Sequence, residues 1–223
     1  SLNNIVYALD NEGITPNDPR FGSLWGLAAI NAKQAWTTSI GDNNIYSVVI
    51  DTGVDFNHED LKANFETDGY SKNFISSIDD PKAYYDENGH GTHVSGTIGA
   101  VGDNNIGVTG VNWNVKIISL RVLDADGSGY ISDVCNAIDY VRELLDDNPD
   151  LKIASVNLSL GGYEYTTPQE MINENNFEWR AYSLLSQTNR TVICVAAGNE
   201  SLEIGKPVPS SGWYGGRYLD EGM

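Results

Sequence analysis

The sequence predicts an α/β fold, a mostly parallel central sheet covered by helices on both faces. Three observations predict it. Continuous apolar runs rich in Val and Ile recur at 45–51, 116–123, 153–160 and 191–197, and strands without polar alternation are what a sheet buried on both faces requires. Segments with helical spacing lie between several of them, as crossover connections do. The runs also stop abruptly at polar residues or glycine, as in Asp51-Thr52-Gly53, Gly161-Gly162 and Gly198-Asn199, which delivers side chains to the C-terminal edge of a parallel sheet.

Taken in order, residues 1–13 hold a strand-like run over 5–9 and then an Asp-Asn-Glu-Gly break. Pro16-Asn17-Asp18-Pro19 is a turn, since proline on both sides forbids a helix there. The apolar pattern of 25–36 predicts a short helix over the core. The strand at 45–51 ends on Asp51, and the polar segment 56–87 reads as surface loop. Asn88-Gly89-His90-Gly91-Thr92-His93-Val94-Ser95-Gly96-Thr97 places a histidine among glycines where a loop enters an apolar helix. After the loop 101–108 comes the second buried strand, 116–123, then a turn over 124–129. Ser132 is positioned to cap a helix whose inner stripe is Val134, Ile138, Val141 and Leu145, ending near Asn148-Pro149. The strand 153–160 follows. A polar helix then starts near Thr167-Pro168 and runs to about Gln187, before the last strand at 191–197.

Composition narrows the function classes. Acidic residues outnumber basic ones by 31 to 13, for a formal charge of -18, which argues against nucleic acid or an anionic membrane as partner. The charge serves solubility, and some of the carboxylates are candidates to hold cations. No apolar run reaches the roughly 18 residues of a membrane span. The chain opens at Ser1 without Met or a basic-then-apolar leader, which predicts a processed or trimmed product. Cys135, on the helix stripe, and Cys194, in an apolar strand, read as buried small hydrophobes and leave the redox compartment open.

Asp51, His90 and Asn199 all sit at or just past the ends of buried elements, and in a parallel sheet those ends converge on one rim. A carboxylate, an imidazole and a neutral amide suit acyl transfer. The carboxylate fixes the ring's tautomer, the ring takes a proton from a nucleophile, and the amide donates to the oxyanion of a tetrahedral intermediate. His90 and His93, three apart, also have the spacing of a metal-ligand pair or a satisfied core pair, but the Glu of the zinc-protease helix motif is absent.

Four stretches in succession resemble the motifs of the subtilisin-like serine proteases, thermitase-like branch: Val49-Ile50-Asp51-Thr52-Gly53-Val54-Asp55, the His90 stretch above, Ser159-Leu160-Gly161-Gly162, and Ala196-Ala197-Gly198-Asn199-Glu200. They occur in the family's order from about Pro16 onward. The resemblance implies a three-layer sandwich, with Asp51 orienting His90, His90 as general base and Asn199 helping to stabilise the oxyanion. It implies that a peptide substrate lies as an added strand between 123–129 and 159–161, through Leu123, Gly127, Gly129, Ser159, Leu160 and Gly161. An ordinary turn at Gly127 and Gly129 and a plain strand end at 159–161 remain the alternatives. Glu200 either lines the main specificity pocket, favouring a basic or hydrogen-bonding side chain, or is a solvated rim carboxylate.

The resemblance also implies structural calcium in the loop 101–108. Val101, Ile106 and Val108 would give carbonyls, Asn104 a side-chain oxygen, and Asp18 and Asp60 carboxylates, in keeping with the six to eight oxygens that ion takes. A bare hydrogen-bonded turn is the alternative. Asp79, Asp80 and Asp86 are candidates for a second, weaker site.

The family's nucleophile is expected in a Gly-Thr-Ser motif beyond the oxyanion Asn, and this sequence contains no Gly-Thr-Ser. None of Ser128, Ser159, Ser201 and Ser211 has the setting of an activated serine. The expectation is therefore that 14–223 is the N-terminal part of a catalytic domain. A second chain, the C-terminal remainder of the same precursor, would complete it and supply the serine after a nick beyond Met223. Residues 1–13 would be an N-terminal arm or the tail of a propeptide. The reading is a serine endopeptidase acting on peptides or proteins; the alternative is a pseudoprotease that keeps the groove as a binding or regulatory scaffold. Secretion follows from the family, with an intracellular location left open.

Overall fold

The computed structural model describes residues 13–161 and 177–199. In chain order its elements are α1 (Trp25–Ala29), α2 (Ala32–Trp36), β1 (Gly41–Asp51), β2 (Lys72–Asn73), α3 (His90–Gly99), β3 (Asn114–Arg121), α4 (Ile131–Asp147), β4 (Ile153–Leu158), α5 (Phe177–Gln187) and β5 (Val192–Val195). The five strands lie in the order β2-β3-β1-β4-β5, and every pairing is parallel. The predicted α/β class is the observed one.

The sheet is covered on both faces because its central strand is apolar on both. Val48, Val49 and Ile50 of β1 are 0%, 1% and 0% exposed. Alternation along the strand sends Val48 and Ile50 into one cluster with Ile118, Leu120, Val156 and Leu158, under α4 and α5. Val49 turns the other way and joins Val115 and Ile117 beneath Val94 and Ile98 of α3. The predicted stripe Val134, Ile138, Val141 and Leu145 is buried, and Ala181 and Leu185 of α5 pack beside it.

Several local expectations are corrected. The helix over 25–36 is two short helices, because Asn31 takes a left-handed conformation (φ 55°) between them. Ser132 does not cap α4; the helix begins at Ile131, its N-cap is Tyr130 and no side chain bonds there. Segment 56–87 is more than surface loop. It contributes β2, and Asp60, Asn64, Glu66, Ser71, Asn73 and Asp86 are all buried within it. Composition is misleading here because these polar side chains serve backbone. Glu66, for example, accepts the N–H groups of Asp68, Gly69 and Ser71. Cys135 is buried as expected, but Cys194 is exposed. It alternates with Ile193 and Val195, which pack on the α4–α5 cluster, so its side chain meets the opposite face at the edge of the sheet.

The run at 5–9 and the helix start at Thr167-Pro168 lie outside the described residues. Among the described residues no helix is long and apolar enough to cross a membrane.

Candidate active site

Parallel pairing puts the C-terminal ends of all the strands on one rim. Across that rim stand the segment 123–129 after β3, Asp51 at the end of β1, 159–161 after β4, and Asn199 after β5, in the order of the strands. Asp51 therefore lies between the two segments predicted to hold substrate. His90 reaches the same place as the first residue of α3.

The imidazole and the carboxylate meet. His90 Nδ1 is 2.7 Å from Asp51 Oδ1, which also accepts the backbone N–H of Thr52 at 2.7 Å. The Asp51 side chain is fully buried, whereas that of His90 is 50% exposed. Among the described residues Asp51 Oδ2 accepts no hydrogen bond, so the donors to this carboxylate, His90 and the Thr52 amide, both meet Oδ1. One ring nitrogen is thus held from beneath by a buried anion while half of the ring faces solvent, an arrangement suited to proton transfer at the other nitrogen.

Local sequence explains how the ring arrives there. A Cβ on Gly91 would sit 2.2 Å from the carbonyl oxygen of Gly53 and 3.2 Å from Asp51 Cβ, so only glycine lets the start of α3 lie against the end of β1. The helix carries no cap of its own: Gly89 precedes it with φ 101° and no side-chain bond. Its first amides go elsewhere, Gly91 N–H to Thr52 Oγ1 at 2.9 Å and Thr92 N–H to Asp86 Oδ2 at 2.9 Å.

Asp86, which the sequence suggested only as a cation ligand, and Thr52 hold the start of α3, a role that sequence reasoning missed. The available signal was an acid four positions before His90 in a loop too rich in acids to single it out. Burial works against the Asp86 charge, but hydrogen bonds from the Thr92 side chain, the backbone N–H groups of Gly89 and Thr92 and the Thr52 hydroxyl outweigh it and hold its carboxyl below the ordinary carboxylate value. A depressed folded pKa contributes stability that is present at neutral pH and is lost as pH falls through that value. The amides of Gly89 and Thr92 are accordingly expected to remain protected from hydrogen exchange down to the ordinary Asp pKa of about 4 and to lose protection only below it; exchange monitored by NMR along an acid titration checks this.

The predicted substrate segments are at the rim, and 123–129 has its own internal reasons for glycine. Leu123 N–H and Val122 N–H both reach the Asp51 carbonyl, at 3.3 and 2.9 Å. The following residues close a turn, with Asp124 N–H to the Ser128 carbonyl at 2.8 Å and Gly127 at φ 76°. A Cβ on Gly129 would lie 2.3 Å from the Val122 carbonyl oxygen. Ser159 and Leu160 are half-buried and Gly161 is exposed, with Ser159 Oγ accepting from Asn157 Nδ2 at 2.9 Å. Asn199 is exposed at the end of the fourth rim segment. Glu200 lies outside the described residues.

The structure also gathers the residues proposed for calcium. Asp18 and Asp60 are 4% and 1% exposed and are wrapped by the loop 101–108. Asp18 Oδ2 accepts from Asp103 N–H at 2.9 Å, while Asp60 Oδ1 and Oδ2 accept from Asn104 Nδ2 and Val108 N–H, each at 2.8 Å. Asn104 Oδ1 is engaged by Ile106 N–H at 2.8 Å, and the Val101 N–H donates to the Asp60 carbonyl. Among the described residues no three His, Cys, Asp or Glu side chains gather as a metal site; of the second candidate set, Asp86 gives its carboxylate to Thr52, Asn88, Gly89 and Thr92.

The chain thus has a parallel sheet with a buried carboxylate and an imidazole joined at its C-terminal rim. The chain is a member of the subtilase family, whose model matches residues 42–216. It is 36% identical over 192 residues to the Thermophilic serine proteinase of Bacillus sp. strain AK1, an alignment covering 86% of this chain and 42% of that protein. It is 31% identical over 163 residues to the Halolysin-like extracellular serine protease Nep of Natrialba magadii, covering 70% and 29%. The solved protease of Pseudoalteromonas arctica PAMC 21717 superimposes with a TM-score of 0.65 at 28% identity, covering 84% of this chain and 60% of that one. The chain spans under half the length of the two curated relatives.

Proposed function

We propose that this chain carries the acid, the base and an oxyanion donor of a serine endopeptidase. The observation that carries the reading is the 2.7 Å contact between the fully buried Asp51 and the half-exposed His90. Asp51 holds the Nδ1–H tautomer and stabilises the imidazolium. Nε2 of His90 takes the proton of a serine as its oxygen attacks the peptide carbonyl, and returns it to the leaving amine. Asn199 donates to the oxyanion. Substrate lies extended between 123–129 and 159–161, held by backbone hydrogen bonds that tolerate many side chains.

The serine comes from a further segment of the same protein. Two observations support this: the sequence holds no Gly-Thr-Ser, and among the described residues the sheet face that bears Val192, 63% exposed, and the exposed Cys194 is open at its β5 edge. An uncovered face of this kind favours association. Secretion, as the name of the Natrialba magadii relative states for that protein, is the corresponding location. The test is fluorophosphonate labelling of the purified protein followed by denaturing mass spectrometry. Label on a serine outside this chain supports the proposal. A folded protein that takes no label and cleaves no peptide is instead the pseudoprotease, a peptide-binding scaffold.

Calcium fits the Asp18–Asp60 loop. Two carboxylates are buried there and brought together by one loop, held by its N–H groups but, among the described residues, without an ion-pair partner, so a cation would neutralise charge that the hydrogen bonds leave in place. A Cβ on Gly107 would fall 2.5 Å from Asp60 Oδ2, so the loop closes on that oxygen only as glycine. Asp18, Asp60 and the carbonyls of Val101, Ile106 and Val108 would hold the ion, with Asn104 joining through its amide oxygen. When bound, the ion supplies charge neutralisation and loop rigidity, no chemistry. At calcium about a hundredfold above Kd the expected stabilisation is about 2.7 kcal/mol, which raises Tm by about 5–10 °C for a domain of this size. Scanning calorimetry with calcium against chelator measures it, and equal melting temperatures would reject the site.

A further inference from the structure

The carboxylate of Asp86 accepts five hydrogen bonds. Oδ1 takes the Thr52 hydroxyl at 2.8 Å, Asn88 N–H at 3.0 Å and Gly89 N–H at 2.9 Å; Oδ2 takes Thr92 N–H at 2.9 Å and the Thr92 hydroxyl at 2.6 Å. The donors come from three places: the residue after Asp51, the turn before His90, and the first turn of α3. Besides their own contact, Asp51 and His90 are therefore joined by a second route that runs from Thr52 through Asp86 to Thr92. The loop carrying Asp86 is itself clamped. Arg121, 3% exposed and the register partner of Asp51 on β3, donates to the carbonyls of Ala83 and Tyr85 at 3.2 and 2.9 Å and to Glu87 Oε2 at 2.7 Å.

We infer that Asp86 is a positioning residue for His90, fixing the turn and the start of α3 so that the imidazole already rests on Asp51 before substrate arrives. The donors it gathers number more than a neutral side chain can accept. An amide of the same size offers one acceptor oxygen, and its NH₂ would face N–H groups that also donate. The negative charge lies at the N-terminus of a helix, where it is favoured and where its hydrogen bonds are charge-assisted. Ala or Asn at this position leaves the amides of Asn88, Gly89 and Thr92 short of partners, and the ring between them loses its fixed angle.

The kinetic consequence rests on the protease reading above, while the structural one does not, so two readouts are taken on the full-length protein. The first is the ¹H resonance of the His90 Nδ1 proton, assigned by its absence in His90→Ala. The second is the split between kcat and KM for a peptide substrate. In Asp86→Asn the Nδ1 proton is expected to broaden beyond detection. Its kcat is expected to fall about 100-fold, the scale of an ångström-level misplacement, with KM within about twofold. Thr52→Val cuts the same route with no change of charge and is expected to weaken the same resonance and lower kcat about tenfold. The double variant should be no worse than Asp86→Asn alone, because both act on one link.

A folded Asp86→Asn with an unchanged proton signal and kcat, or an effect on KM alone, overturns the inference. If Asp86→Asn does not fold, Thr52→Val decides: an unchanged resonance and rate reject the proposed route. If the parent protein hydrolyses nothing, the protease reading fails on its own and the Nδ1 proton still tests Asp86.

Discussion

His90→Ala is expected to lower kcat for peptide hydrolysis about 10⁶-fold, the magnitude established for the subtilisin triad and carried over from it. The structure supplies the reason the loss falls on kcat. Asp51 cannot act without the ring, because its carboxylate is fully buried and, among the described residues, its side-chain hydrogen-bond partner at the rim is His90 Nδ1. Removing the imidazole thus idles the acid and leaves the serine without a base, while the substrate segments after β3 and β4 keep their places. KM is expected to change less than threefold, and folding little, since the His90 side chain is half exposed and fills no core volume. Active-site titration with a fluorophosphonate, compared with steady-state rates, makes the measurement: labelling should collapse along with kcat. Substantial residual hydrolysis in a clean preparation of His90→Ala would mean that another group serves as base, and the proposed role of the Asp51–His90 pair would be abandoned.

What the sequence made legible and what it hid divide along one physical line. The strands under both faces could be read because burial on both sides leaves an unbroken apolar run, as at Val48-Val49-Ile50, and α4 because its buried stripe repeats at helical spacing. Asp51 and His90 could be read because each ends or begins an element whose direction is fixed by the parallel sheet. The roles of Asp86, Thr52 and Glu66 could not be read. Their burial is compensated by backbone N–H groups, from the next few residues for Glu66 and from the start of α3 for Thr52 and Asp86, and a carboxylate that satisfies amides looks in sequence like any surface acid. The exposure of Cys194 was hidden for a related reason: an apolar strand at the edge of a sheet has the same composition as one at its centre, and only the strand order shows which face is left uncovered. The break at Asn31 was equally silent, since a left-handed Asn between two apolar turns disturbs no periodicity.

Gly91→Ala is expected to reduce kcat at least 100-fold and to destabilise the protein by about 1–3 kcal/mol, from one added methyl group. The new Cβ would stand 2.2 Å from the Gly53 carbonyl oxygen and 3.1 Å from Thr52 Oγ1. The first is a backbone atom and cannot swing aside; the second is engaged by both Gly91 N–H and Asp86. The overlap is therefore relieved only by moving α3 away from β1, and overpacking of this sort costs about 1–3 kcal/mol. Such a shift draws His90 off Asp51 Oδ1, and a displacement of about 1 Å at a reacting group is worth about 100-fold in rate. Gly96→Ala on the same helix is the control, because a Cβ there meets nothing within 4 Å. As Ala is favoured over Gly inside a helix by about 1 kcal/mol, that variant should be as stable as the parent or slightly more so, with kcat unchanged. Paired denaturant melts and rate measurements separate the two cases. Were Gly91→Ala to match Gly96→Ala in rate, the close approach of α3 to the end of β1 would have no part in holding the imidazole on its acid.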